Sequence, residues 1–345
     1  MALADLFSGV AARLFGAAAP PDADQAIVDE TIEAIVDAVD PRIRSDRGYR
    51  KALEPGVRRT IAQLRAIAQR LPAPIALSPA AWQREPLVRC CFGRPDEVRA
   101  LLGRSRELYR FFDASPGCAE AHALLAMRRE ARKVLAPALV DGALRQDVAQ
   151  VSVSFDRHRL HAPAADAASC RREVGAGLFR RLAGLAIERS LATERRVKDL
   201  EERKGILATR LRMLQLRRDG IQRAFEDAAQ DPAAEIAELE KALQATVDAF
   251  ATQKASLKTL EGIVDGVRGI FEAPQKVIGL ETVELRLSGT GMRVEPGSSE
   301  AATELTLQEL FVGENLRGVI AFVRCAREDL PPPDDALRRA ERSLI

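Results

Sequence analysis

The sequence is poor in aromatic residues and in histidine, and it lacks the short motifs of common enzyme families. Aromatic residues are 4% of its 345 residues, and only three residues are histidine. Few aromatics disfavour binding of single-stranded nucleic acid, because that binding uses aromatic rings on which bases stack. No G-x-S-x-G, H-E-x-x-H or Walker sequence occurs. We therefore predict no catalytic residue and no cofactor, and an enzyme is the less favoured interpretation.

Cysteine is also scarce, with five residues, an odd number, and no C-x-x-C pair. This pattern disfavours a disulfide framework or a zinc finger, so we expect reduced thiols. The one cluster of metal-ligand residue types is His158, His161 and Cys170. Three ligands are too few for a closed zinc site, and we predict no metal.

Long apolar runs are absent, since none approaches 18 residues, and we predict no transmembrane segment. The N-terminus lacks a basic region, and Asp5 and Arg13 interrupt its apolar stretch, so we expect no signal peptide and a cytoplasmic location. Residues 3–15 favour an amphipathic helix with one arginine. Peripheral membrane contact through this helix is disfavoured, because such helices usually have several basic residues.

The longest regular pattern runs from Val197 to Phe271 and predicts two long amphipathic helices. Apolar residues recur there at alternating spacings of three and four, which a helix buries against another helix. Asp231-Pro232 interrupts the pattern, and such a pair suits the start of a second helix. A short connection makes the two helices antiparallel neighbours, so we predict a coiled-coil hairpin. Its seam consists of Leu200, Leu207, Leu211, Leu214, Ile221, Phe225, Ile236, Leu239, Leu243, Phe250, Leu257 and Leu260.

Folding about residue 230 places Leu211 beside Phe250. Residues 171–226 contain 15 Lys and Arg against 8 Asp and Glu, whereas residues 232–271 contain 4 against 6. Opposite charge on adjacent helices favours one partner and one register. The alternative is a helix pair packed inside a larger bundle, where the same spacing occurs.

The segments outside the hairpin divide into a helical part and a strand part. Apolar spacing before residue 149 is helical, including a helix at about 118–146 bent at Pro137. Residues 151–155 then alternate as a strand does, residues 156–159 favour a turn, and residues 160–162 begin a return strand. Further strand patterns occur after the hairpin, at residues 283–287, 292–295, 305–307 and 319–323.

Isolated β-hairpins are marginal in water, so we predict that the strands on both sides of the helical hairpin join one sheet. The fold class is α+β, mainly α, with an N-terminal helical layer, a small antiparallel β-sheet and the helical hairpin inserted between strands. The predicted segments are an N-terminal helix and Pro linker (1–21), a helical region (22–148), a sheet region (149–168 plus 280–328), the coiled-coil hairpin (169–273) and a C-terminal tail helix (329–345).

These features favour a non-enzymatic cytoplasmic scaffold or adaptor, which binds a protein partner or self-associates through its hairpin. One alternative is nucleic-acid binding along the basic first helix. A second alternative is an enzyme whose pocket lies between sheet and helices, with residues dispersed in the sequence. The possible basic surface consists of Arg195, Arg196, Arg203, Arg210, Arg212, Arg217 and Arg218.

Overall fold

A computed structural model shows a protein that combines α-helices with a β-sheet. The structure describes residues 21–140, 143–219, 233–258, 260–295, 298, 300–314 and 316–332. The α-helices are α1 (Pro21–Val39), α2 (Tyr49–Gln69), α3 (Pro86–Cys91), α4 (Pro95–Arg104), α5 (Arg106–Ala114), α6 (Ala167–Asp219), α7 (Ala233–Lys258), α8 (Leu260–Phe271) and α9 (Pro274–Val277). The strands are β1 (Ile75–Ala76), β2 (Glu120–Val140), β3 (Ala143–Ala164), β4 (Ile278–Leu287), β5 (Thr303–Val312) and β6 (Leu316–Ala326).

Contacts divide the chain into two compact units. Unit 1 comprises Met1–Ile27, Arg59–Arg181 and Ala273–Ile345, and unit 2 comprises Val28–Arg58 and Leu182–Glu272. Unit 1 contains the sheet, and unit 2 contains most of the long helical segment. The predicted helix at residues 3–15 lies outside the described residues.

The sheet of unit 1 joins strands from both sides of the long helical segment, as predicted. Its order is β3-β2-β6-β5-β4, and β1 pairs with β6. The pairs along the main path are antiparallel, while the short β1 is parallel to β6. β4 and β5 contain the apolar alternation that the sequence showed at residues 283–287 and 305–307, and β6 contains the apolar run at residues 319–323. The predicted strand at 292–295 forms only isolated bridges, Ser152 with Met292 and Leu287 with Arg293.

The predicted helix at about 118–146 is wrong, because this segment forms β2 and the start of β3. Leu124 and Leu125 are both buried, on opposite faces of the sheet, so the strand shows no alternation of apolar and polar residues. Pro137 lies where the pairing with β3 shifts by one residue, an irregularity that suits a residue without an amide hydrogen.

One face of the sheet packs against α3, α4 and α5 to form the main core of unit 1. Phe92, Leu101 and Leu108 are almost fully buried against strand residues such as Val319 and Val323. The apolar side chains of these short helices face the sheet and cover one of its two faces. The start of α6 lies on the other face. The anchor of α6 on this opposite face is Arg171, whose guanidinium lies 5.0 Å from the centre of the Phe322 ring.

Unit 2 has its own core, made by α1, the start of α2, and α8. Ile32, Ile35 and Val57 are fully buried there, and Phe271 of α8 is 1% exposed. Gly56 allows the close approach of α2 and α8, since a Cβ atom at this position would lie 3.1 Å from the Phe271 backbone. Among the described residues, no helix is long and apolar enough to cross a membrane.

Candidate functional site

The predicted seam residues of α6 are half-buried at regular intervals. Leu200, Leu207, Leu211 and Leu214 are partly covered, and most of the residues between them are exposed. On α7, Ile236 and Leu239 are buried, and Leu243 and Phe250 are half-buried. The side chains of Ile221, Phe225, Leu257 and Leu260 fall outside what the structure describes.

Contacts between side chains join α6 to α7 in the described part of the chain. The Lys204 ammonium lies 4.6 Å from the centre of the Phe250 ring, and the Arg210 guanidinium pairs with the Glu235 carboxylate at 2.8 Å. Position 204 contacts the later part of α7 and position 210 its start, which is the order of antiparallel helices. Phe250 contacts Lys204, whereas the sequence predicted Leu211 as its neighbour, a difference of seven residues. We name residues 197–219 of α6 together with α7 the helical pair.

The predicted basic surface lies on the exposed side of α6. Arg196, Arg203, Arg210 and Arg217 recur every seven residues and are all exposed. Arg195 and Arg212 are exposed as well, and the side chain of Arg218 is outside the described residues. The charge of Arg210 is neutralised, since Arg210 pairs with Glu235.

Apolar side chains also face solvent on α6. Ile206 is 68% exposed, Met213 64% and Leu216 68%. Spacings of seven and three place them on one side of a helix. Apolar side chains that share one side of a helix form a patch, and exposed apolar patches often mark contact sites. This side of α6 is therefore a candidate contact surface, which we name the outer apolar stripe (Ile206, Met213 and Leu216).

Unit 1 contains a second candidate site, a cleft of about 790 Å³ between the sheet and the first turns of α6. Its floor is aliphatic and is formed by strands β2, β5 and β6. Charged residues surround this floor, and α6 forms one wall. The floor and wall residues include Leu124, Ala126, Val174, Leu178, Leu310, Leu316 and Ile320, and the charged residues are Glu107, Arg128, Arg157, Arg159, His161, Glu173, Arg180 and Arg317.

Irregular pairing between β2 and β3 shapes this cleft. Ala126 pairs with Arg159, and Arg128 with Asp156, so β3 has one extra residue, Arg157, whose φ is 53°. Such a bulge changes which face the following residues occupy. Phe155 and Leu160 therefore both face the core of unit 1, although simple alternation would place them on opposite faces. The turn predicted at residues 156–159 is wrong, because β3 continues through these residues and contains the bulge there.

A second bulge in β3 is stabilised by Glu107. Ala162 has a φ of 54°, and its backbone N–H donates to Glu107 Oε2 at 3.1 Å. His161 Nδ1 lies 3.4 Å from Glu107 Oε1. This hydrogen bond, with the amide of Ala162, lowers the pKa of the Glu107 carboxyl, so the group is ionised at neutral pH. Glu107 therefore fixes the strand that presents His161 to the cleft.

The charges of the cleft do not balance. Arg128 pairs with Asp156 at 2.5 Å, and Arg317 pairs with Glu281 and Glu309. Within the part of the chain that the structure describes, Arg157, Arg159 and Arg180 form no ion pair. Glu107 is engaged by His161, which leaves Glu173 as the other cleft carboxylate. The cleft consequently has an excess of positive charge.

The structure separates the residues that the sequence grouped as possible metal ligands. His158 stacks on Phe92 with ring centres 4.2 Å apart, and its Nε2–H donates to the Cys91 carbonyl at 2.9 Å. His161 faces the cleft instead. Cys170 is fully buried, and burial raises its pKa to about 12, so its sulfur is a protonated thiol. No group of three metal-ligating side chains occurs among the described residues.

The cleft residues come from α5, β2, β3, α6 and the later strands, far apart in the sequence, and no short motif includes them. The sequence signal was weak: two arginines and two histidines between residues 157 and 161. A comparison with family models, with curated proteins and with solved structures finds no match to this chain.

Proposed function

We propose that this protein is a non-enzymatic cytoplasmic scaffold or adaptor that associates through its helical pair. The observation that supports the proposal most is the outer apolar stripe, in which Ile206, Met213 and Leu216 are 64% to 68% exposed. Burying each such side chain against a partner helix contributes about 1.5–3 kcal/mol. Three of them lie on one side of the helix, so their contributions add within one contact and offset part of the free-energy cost of association.

The proposal includes an antiparallel coiled-coil hairpin made by α6 and α7. Three features support it: the three-four spacing within each helix, the half-buried seam of α6, and the Lys204–Phe250 and Arg210–Glu235 contacts. A two-helix coiled coil covers only its seam, so the outer sides of both helices are free to contact another molecule.

The partner that we propose is a second copy of this chain. The first helix is strongly basic, with 15 Lys and Arg against 8 Asp and Glu in residues 171–226. On α7, Glu238, Glu240 and Asp248 are exposed. A second copy thus offers both an apolar stripe and a helix of opposite charge, and complementary charge fixes orientation.

Sedimentation equilibrium tests this proposal on the intact chain. Wild-type protein should self-associate, and the triple variant Ile206→Gln, Met213→Gln, Leu216→Gln should be monomeric with an unchanged helical content by circular dichroism. A matched control changes three exposed polar residues of the same helix, Glu201→Gln, Glu202→Gln and Thr209→Ser, and should associate as wild type does. A monomeric wild-type protein, or a triple variant that associates normally, would contradict the proposal.

Nucleic-acid binding is a second candidate, favoured by the seven-residue repeat of exposed arginines at positions 196, 203, 210 and 217. Phosphate contacts release counterions, so affinity for a duplex should fall steeply as salt rises. Replacing Arg196 and Arg203 by glutamine should then reduce both the affinity and the salt slope. Binding that is equally strong for this variant would reject the arginine surface as the nucleic-acid site.

A further inference from the structure

We propose that the cleft of unit 1 binds a small amphipathic anion, an aliphatic chain that ends in a phosphate group. The proposal concerns a site that is separate from the helical pair, and it is independent of self-association. It follows from the size of the cleft, the character of its floor and the charges around it.

The size and lining of the cleft suit the body of such a ligand. A volume of about 790 Å³ lies in the range typical of small-molecule sites. The floor and wall side chains are aliphatic, including Leu124, Leu178, Leu310 and Ile320, each less than 10% exposed. No Phe, Tyr or Trp lines the cleft in the described part of the chain, so a nucleotide base finds no large ring on which to stack. An alkyl chain needs only the aliphatic surface.

The charges around the cleft suit the head group. Arg157, Arg159 and Arg180 have no ion pair among the described residues, and Arg128 and Arg317 are already neutralised by carboxylates. The guanidinium of arginine is planar and donates two parallel hydrogen bonds to a phosphate. A phosphate monoester has close to two negative charges at neutral pH, which matches the excess of arginine over Glu173 better than a single carboxylate does.

The positions of the three arginines are determined by the bulge in β3 and by helix α6. Arg157 occupies the left-handed backbone region at φ 53° in the bulge, and Arg159 follows it on the cleft face of β3. Such backbone conformations persist only where the surrounding structure determines them, and they concentrate at functional sites. Arg180 is three residues from Gly177, and its guanidinium lies 3.9 Å from the position that a Gly177 Cβ would occupy. The helix and the strand thus present basic groups to one cavity.

Gly177 provides a variant that fills the cleft without removing a charge. It lines the cleft, and apart from Arg180 nothing lies within 4 Å of a Cβ placed there. Gly177→Leu should fill the cleft with aliphatic volume and still fold, because leucine favours a helix more than glycine does. Because the added side chain also meets the Arg180 guanidinium, a loss of binding would report the space of the cleft as a whole.

Isothermal titration calorimetry of the full chain tests the proposal with octyl phosphate below its micelle concentration. Octyl phosphate should bind at one site, and inorganic phosphate and octanol should bind at least about tenfold more weakly, because each supplies half of the interaction. The double variant Arg159→Gln, Arg180→Gln should bind octyl phosphate about tenfold or more weakly, as expected for loss of charge-assisted hydrogen bonds. Gly177→Leu should weaken it similarly. The matched control is Arg84→Gln, an exposed arginine outside the cleft, which should bind as wild type does.

Thermal unfolding by circular dichroism confirms that each variant is folded before its binding is interpreted. Equal affinity for inorganic phosphate and octyl phosphate would overturn the proposal, as would equal weakening by Arg84→Gln. Vesicles of phosphatidylcholine with phosphatidic acid distinguish a free amphiphile from a lipid head group in a bilayer. Binding to vesicles without binding of octyl phosphate would contradict the cleft as a small-molecule site and assign the arginines to a membrane surface.

Discussion

Lys204 of α6 lies against Phe250 of α7, with its ammonium 4.6 Å from the centre of the ring. Lys254, one turn further along α7, approaches the same ring to 4.5 Å. Both lysines thus place their charge over the face of one aromatic ring, which is an attractive contact worth about 0.5–1 kcal/mol at an exposed site. The contact also explains why a lysine occupies the α6 seam: its stem covers the apolar seam while its ammonium reaches the ring.

The first prediction concerns the register of the helical pair. With the native cysteines replaced, Lys204→Cys and Phe250→Cys should be joined within one chain by a short bis-maleimide, because the two native side chains are in contact. The pair Leu211→Cys and Phe250→Cys should react more slowly, since these positions are one heptad out of register. Mass spectrometry of the monomer band measures both yields. Preferential cross-linking of the Leu211 pair would show that the register predicted from the sequence is the true one.

The second prediction concerns pH. Burial lowers the pKa of His158 below its usual 6.5. Below about pH 6.5 the unfolded chain therefore takes up a proton that the folded chain does not, so stability falls as the pH falls. His158→Phe should keep the stack on Phe92 and show a smaller loss of unfolding free energy between pH 7 and pH 5. Urea unfolding at several pH values measures the free energy of unfolding of both proteins. If this free energy falls equally with pH in wild type and variant, the result contradicts burial of a neutral His158.

The third prediction concerns the strained backbone beside the cleft. Ala162 has a φ of 54°, a region that costs an L-residue about 1–2 kcal/mol and glycine almost nothing. Ala162→Gly should consequently raise the free energy of unfolding by roughly 0.5 kcal/mol, after the larger entropy loss of glycine is subtracted. Ala164→Gly, two residues later in the same strand, is the control and should lower it by about 0.5–1 kcal/mol. If both variants are destabilised equally, Ala162 is not strained.

Some helices and strands of this fold could be predicted from the sequence, each because of a different pattern. The α6 and α7 helices were recognisable because a helix that is covered along one narrow seam must repeat its apolar residues at three and four. β4 and β5 were recognisable because each alternates. β6 was recognisable as a short apolar run, since Val319, Ala321 and Val323 are buried on one face of the sheet, and Ile320 and Phe322 on the other.

Burial on both faces of the sheet also explains why β2 was predicted as a helix. Leu124 faces the cleft and Leu125 faces the main core, and a strand of Ala and Leu that is covered on both faces resembles a helix in sequence. One local signal was available, the Asp141-Gly142 pair between two apolar runs, which is typical of a β-hairpin.

The cleft could not be predicted, because its chemistry depends on three-dimensional neighbours. Arg157 and Arg159 are close to Arg180 in space only through the pairing of β3 with β2 and the anchoring of α6 on the sheet. Whether an arginine is already neutralised, as Arg128 is by Asp156, depends on the bulge that shifts the register between Ala126 and Arg128. Neither pairing leaves a motif in the sequence.

The most direct test of the scaffold proposal is removal of the outer part of the helical pair. Replacing residues 205–249 by a short Gly/Ser turn joins Lys204 to Phe250, which are in contact, so the remaining chain should still connect without strain. Sedimentation equilibrium should show that wild-type protein self-associates and that the shortened protein is monomeric, with cooperative thermal unfolding. A shortened protein that associates as strongly as wild type would contradict the account, and an aggregated one would show that the removed helices belong to a bundle core.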